Sequence, residues 1–259
     1  MAGVAATPAR ELVPAVPVQG VFTLVGLELL IGTFVLMWVT LLVWRVVDRG
    51  HYRAATWVLF PLQAALSFAL GRDLRTAGLI TAGAMAVFLA AAYSQRPLVE
   101  WITGGLASAA GLWVVAQLGV DGCGCAAGAP QAFAGALFLG AVSHGMTLGH
   151  WYLNQPRLPI EPLRGAGFIL LGSIAVSLVA GLVSRPELIR ARIGGGLLAF
   201  SGAGYWWAWL LLLAGTAILA VMVRATVATR ATQSATGLLY IAMVTAIAAQ
   251  FLMTLLLAA

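Results

Sequence analysis

The chain contains no lysine, only two cysteines and only eight acidic residues among 259, and charged residues make up 8% of it. A soluble domain carries about 25% charged residues, so this scarcity excludes an ordinary soluble globular protein. With no lysine, the formal charge of +6 is carried entirely by fourteen arginines. They stand in short gaps between apolar runs, where they act as topology signals and lipid-headgroup contacts, and no nucleic-acid partner is expected. Two cysteines cannot close a tetrahedral zinc site without two further ligands, and no histidine or further cysteine lies near them in sequence. No gap is long enough for a sizeable extramembrane domain, so work must be done within the bilayer, at its surface or through partner chains.

Hydrophobic residues, at 62%, are what the chain has instead. A spanning helix needs about 20 mostly apolar residues, and eight runs qualify: 20–44, 54–71, 76–94, 98–120, 131–154, 165–184, 194–223 and 234–258. The expected fold is an all-α polytopic transmembrane helix bundle of about eight spans. The run at 54–71 is short and contains Pro61, which makes seven spans the alternative. Residues 1–19 read as a short tail, not a signal peptide, and 20–258 as a single transmembrane domain without an internal repeat. Alternate gaps divide the arginines eight to six. Arg45, Arg49, Arg53, Arg96, Arg157, Arg164, Arg224 and Arg230 fall on one side, and Arg10, Arg72, Arg75, Arg185, Arg190 and Arg192 on the other. The positive-inside rule then puts both termini and the "DGCGCAAGAP" loop outside the cytoplasm and "PRLPIEPL" inside.

Ionisable groups inside hydrocarbon are costly and point to function. Glu28, in "GLELLIGTF", is the only acidic residue deep within a span; it is a candidate proton relay with His144, or a neutral group bonded to a neighbouring helix. His144 lies about 13 residues into its span, roughly 20 Å of rise. His150 follows six residues later, about 120° away around the axis, so the two rings cannot share one small ligand. The segment "GHWYLNQP" places His150, Trp151, Tyr152 and Asn154 about one turn below the interface. There they are either interfacial anchors or donors and aromatic walls for a quinone headgroup. Haem is disfavoured: two axial histidines must come from different helices, and the third histidine, His51, falls in the first gap, at the expected surface. Gly145 and Gly149 form a small-xxx-small step that brings another helix close.

Cys123 and Cys125 are separated by one residue, so an internal disulfide is not the first expectation. Surface thiols, a soft-metal or redox-exchange pair, or a disulfide to a partner are the alternatives. In "GAGYWWAWL", Tyr205, Trp206, Trp207 and Trp209 form an aromatic wall that reads as packing, with Gly194 to Gly196 leaving backbone room for a flat group.

Leu148 to Leu153 with Pro156, and Ser234 to Tyr240, resemble the GHWYL and ATG-x-LY segments of a group of bacterial polytopic membrane proteins without an assigned activity. The resemblance implies a multi-pass protein of the bacterial inner membrane. No P-loop, rhomboid or zinc-metalloprotease motif is present. The leading reading is a membrane subunit of a redox assembly, quinone-associated or scaffolding and not an enzyme on its own, working with the bilayer and partner chains. The alternatives are a small proton- or ion-coupled transporter or channel and a metal-handling or maturation factor using the outer CGC loop.

Overall fold

The computed structural model describes residues 18–94, 96–155, 157–184, 192–193 and 200–257. Among them run eight helices: α1 (Val18–Val43), α2 (Arg49–Ser67), α3 (Arg72–Ser94), α4 (Pro97–Cys123), α5 (Gly128–Asn154), α6 (Glu161–Val183), α7 (Gly202–Ala228) and α8 (Thr232–Leu257). The one departure from helix and loop is a minimal antiparallel ribbon, β1 (Arg192–Ile193) with β2 (Phe200–Ser201), between α6 and α7. The fold is an all-α bundle.

Local chemistry sets the helix ends. Pro97 opens α4, where its missing N–H goes unused, and Gly124 closes it with φ 62°, a conformation that glycine adopts without strain. Asp48 caps α2: its carboxylate accepts from the Gly50 backbone N–H at 3.0 Å and from the Gln155 amide at 3.3 Å. The backbone bond first, then the Gln155 bond, holds the Asp48 carboxyl below its ordinary value of 3.8. A carboxyl depressed by folding stabilises above its unfolded value and loses that contribution as pH falls through the folded one. Asp48→Ala is therefore expected to cost about 1 kcal/mol at neutral pH. Melts of parent and variant should converge once Asp48 is protonated; an unchanged gap in acid would mean that the loss is packing and not capping.

The helices run alternately up and down. At one end lie the connections 44–48, 155–160 and 229–231, with the α3–α4 turn; this is the arginine face. At the other lie 68–71, the Cys123–Cys125 loop and the β ribbon; this is the cysteine face. Interhelical contacts fix the register. Arg53 of α2 reaches Ala92 of α3, Ser177 of α6 reaches Ala134 of α5, and Trp209 of α7 lies against Gly181 of α6. The loops therefore alternate from face to face, as consecutive spans require.

α1 and α5 form the centre. Buried residues make up 72% and 78% of their most apolar stretches, against 28–44% in the other apolar helices. Backbones nearly touch where they cross: a Cβ on Gly32 would collide with the Ala136 carbonyl, and one on Gly140 with the Gly32 backbone. α2, α3 and α4 pack on one side of this pair, and α6, α7 and α8 on the other. Outward side chains such as Ile80, Leu106, Val179, Leu211 and Val244 are 60–72% exposed. A belt of this size on a water-soluble surface would drive association, and here it meets lipid.

Seven helices are long and apolar enough to cross a membrane; α2 is the one left out. Its buried positions include His51, Tyr52, Thr56, Gln63 and Ser67, whereas Ala54, Trp57, Val58, Pro61, Leu62 and Phe68 face outward. This helix is polar inside and apolar outside, so its average hydropathy understates how well its outer face suits lipid. It runs the depth of the bundle antiparallel to α1, with Leu66 beside Gly26 at one end and Gly50 beside Trp151 at the other. The chain is a multi-pass membrane protein, and α2 is the element on which a count of seven or eight turns.

Candidate functional site

The polar inner face of α2 leads to the site. The sequence placed His51 at the surface of the first gap, and the structure corrects this. α2 begins at Arg49, five residues before the expected span, and carries His51 inward until it is 3% exposed. Its ring centroid lies 6.0 Å from that of His144 and 5.6 Å from that of Trp151, both on α5. Thr40 of α1 bonds His144 Nε2 at 2.7 Å. Three helices thus converge on two imidazoles just below the arginine face.

Four buried polar atoms here have no hydrogen-bond partner among the described residues: His51 Nε2, His144 Nδ1, Tyr52 Oη and Trp151 Nε1. A buried polar group left unpaired costs about 1–3 kcal/mol, and native interiors hold only a few. Four in one cluster, all on α2 and α5, form a set of donors and acceptors without protein to serve them. Trp151 is half-buried, with its ring against His51.

The residues first picked for a quinone do not converge. His150 and Asn154 are exposed. Tyr152 turns inward and donates its hydroxyl to the Pro159 carbonyl, which ties the end of α5 to the proline-rich loop. Trp151 alone of that set joins the buried cluster. His144 and His150 do diverge, one 1% exposed and the other on the surface, but the histidine that meets His144 is His51.

This pairing also changes the argument about haem. Two histidines from different helices are side by side after all, so surface placement of His51 no longer counts against axial ligation. What counts against it now is that His144 Nε2 is engaged by Thr40. They do not present two free Nε2 atoms to one iron.

Glu28 lies elsewhere. It precedes Thr40 by twelve residues on α1, about 18 Å of helix rise, and so does not touch His144. It is 1% exposed and faces Gly135 of α5 together with Gln250 of α8, whose side-chain atoms crowd the place a Cβ on residue 135 would take. Glu28 Oε2 has no hydrogen-bond partner among the described residues. Gln63, deep on α2, likewise has both amide atoms unpaired.

On the cysteine face, Cys123 and Cys125 are joined by a disulfide, contrary to the expectation from their spacing. The Gly124 turn brings the two side chains to one side of the loop. Both sulfurs are then committed, and a soft-metal pair would require their reduction. No group of three or more histidine, cysteine or acidic side chains able to hold a metal occurs among the described residues. The aromatic wall is mostly packing: Trp206 and Trp209 are buried and Trp207 is 59% exposed. Gly194 to Gly196 lie outside the described residues, as do residues 1–17 and Pro156.

The chain matches no protein-family model, no curated protein and no solved structure.

Proposed function

We propose that this protein is the membrane subunit of a redox assembly in the bacterial inner membrane, and that it handles a quinone headgroup at the His51–His144 pair. One observation carries this reading. Two buried imidazoles from separate helices stand together with unpaired ring nitrogens, flanked by an unpaired phenol and an unpaired indole N–H. Quinone carbonyls accept hydrogen bonds, and Tyr52 Oη, Trp151 Nε1 and a protonated ring nitrogen of His51 donate them. Reduction of a quinone to a quinol takes two electrons and two protons. The electrons come from a partner chain and the protons from water at the adjacent arginine face.

The cysteine disulfide supports the orientation. Disulfides persist on the oxidising side of a bacterial inner membrane, and this one lies opposite the face richer in arginine. Two independent rules therefore put the arginine face, and the histidine pair beneath it, toward the cytoplasm.

The test is purification in mild detergent followed by mass spectrometry of co-purifying chains and of organic-solvent extracts. Quinone or partner chains recovered with the parent protein support the reading. A lone, quinone-free protein overturns it.

A second reading, proton-coupled transport, is favoured by Glu28 alone, since an acidic group with an unpaired oxygen at this depth marks an ion path by default. Under it, Glu28→Gln is expected to abolish proton flux into proteoliposomes under an imposed potential. Under the redox reading the same variant keeps its quinone content. Flux in the parent that survives Glu28→Gln would remove Glu28 from any path.

A further inference from the structure

A second polar site lies on the outer side of the α2 N-terminus. A cavity of about 390 Å³ opens between the end of α1, the start of α2 and the start of α4, and Arg45, Arg49, Arg53, Asp48, Glu100 and Trp101 are among its lining residues. Three guanidinium groups face two carboxylates there, and the carboxylates are already engaged. Glu100, with a side chain 1% exposed, accepts from Arg49 Nε at 2.9 Å. Asp48 accepts from Gly50 and Gln155.

The other two arginines form no ion pair among the described residues, although Arg53 is close enough to Asp48 to help hold its carboxyl down. Arg45 stacks over the Trp101 ring, 4.7 Å from its centroid, and has no hydrogen-bond acceptor or acidic partner among the described residues. Arg53 stacks over Tyr93 at 4.5 Å and gives Nε and Nη2 to the Ala92 carbonyl, which leaves Nη1 free. Aromatic stacking fixes a guanidinium plane while leaving its edge donors for an anion. Trp38 donates to the Trp101 carbonyl at 3.0 Å, which helps to anchor this wall.

We propose that this cavity binds a phosphate group carried by an anionic lipid headgroup. The chemistry is that of phosphate recognition: guanidinium forks match phosphate oxygens and form charge-assisted hydrogen bonds with them. The lipid is chosen over a soluble phosphate by position. The cavity sits where the helices meet the membrane surface, and Val46 in its lining is apolar and 52% exposed, as is Leu98 beside Pro97 at 64%. An amphipathic ligand satisfies both surfaces, and basic pockets between spanning helices suit anionic headgroups. The site does not depend on the quinone reading, because it lies on the outer side of α2 and uses none of the histidines.

The experiment uses the full-length protein in bilayer nanodiscs of phosphatidylcholine, with and without phosphatidylglycerol, and counts retained lipids by native mass spectrometry. The parent is expected to retain phosphatidylglycerol selectively. Arg45→Gln with Arg53→Gln should lower its relative affinity about twenty-five-fold, since each interfacial basic residue contributes a factor of roughly five. Arg224→Gln, on the same face but stacked on Phe168, should keep the parent's preference. Arg45→Gln alone leaves the Arg53–Ala92 bonds intact and should show a partial loss, so the test survives if the double variant folds poorly. Equal loss in Arg224→Gln would overturn the proposal in favour of a diffusely basic face, and a double variant that binds like the parent would overturn it outright. In lipid-depleted protein, thermal stabilisation by inorganic phosphate that requires Arg45 and Arg53 would overturn the lipid in favour of a soluble phosphate compound.

Discussion

Gly32→Ala is expected to destabilise the bundle by about 3 kcal/mol, at or beyond the upper end of the usual range for overpacking, whereas Gly145→Ala should be neutral or slightly stabilising. Both replace a buried or near-buried helical glycine by the smallest side chain, and they differ only in what the new Cβ meets. At position 32 it meets the carbonyl of Ala136 and the backbone of Gly140, neither of which can rotate away as a side chain could. The two central helices must separate, and with them every contact that α1 and α5 make together. At position 145 the nearest atom is a Leu239 methyl at 3.4 Å, an ordinary contact. There the higher helix propensity of alanine, about 1 kcal/mol over glycine in a helix interior, outweighs it. Thermal unfolding in detergent, followed by tryptophan fluorescence, separates the two. A Gly32→Ala protein that melts with the parent would mean that the α1–α5 crossing is looser than described.

The same pair shows how far the sequence could be read. Thirty glycines offer many small-xxx-small steps. Gly145 and Gly149 were singled out because they flank the histidines, and they do meet α8, at Leu239 and Thr236. The closest approach is instead made by Ala136 and Gly140 against Gly32. Nothing in the pattern ranks one step above another, because closeness depends on which helix lies opposite. The bundle and its alternating loops were legible because hydrocarbon thickness imposes a run length. α2 was the weak span for an opposite reason: hydropathy averages a helix over its faces, and this one buries His51, Thr56, Gln63 and Ser67 while turning apolar side chains outward. Asp48 was an available N-cap signal, although Gly50 two residues on weakens it. Placing the helix start there would have moved His51 out of the gap and into the bundle. The divergence of His144 and His150 followed from helical geometry alone, but their partners did not, since residues 51 and 144 meet only through the fold. The disulfide was hidden because spacing alone does not reveal the turn at Gly124 that brings the two sulfurs together.

His51→Phe and His144→Phe are each expected to lower retained quinone about tenfold, the loss of roughly one hydrogen bond to a buried group. His51→Phe should leave the fold as stable as the parent's or more so, whereas His144→Phe also breaks the Thr40 bond and should lose stability. The stability expected of His51→Phe makes the test sharp. A structural histidine satisfies its neighbours, so its removal destabilises. Here His51 Nε2 satisfies nothing described, and replacing an unpaired buried nitrogen by carbon relieves a desolvation penalty. Stability that rises while function falls is the signature of groups kept for activity. His150→Phe should change neither quantity, because that ring lies on the exposed side of α5. Phenylalanine is slightly larger than histidine, and strain from the extra volume is controlled by His51→Leu, which is unpaired-nitrogen-free and smaller. Both readouts come from one preparation: solvent extraction for quinone and a thermal melt. If the His51 Phe and Leu variants lose stability and keep their quinone, the imidazole pair is part of the packing, and the headgroup must be sought elsewhere. If quinone falls equally in His150→Phe, the ligand is held at the outer face of α5 around His150 and Asn154, and the buried pair has another use.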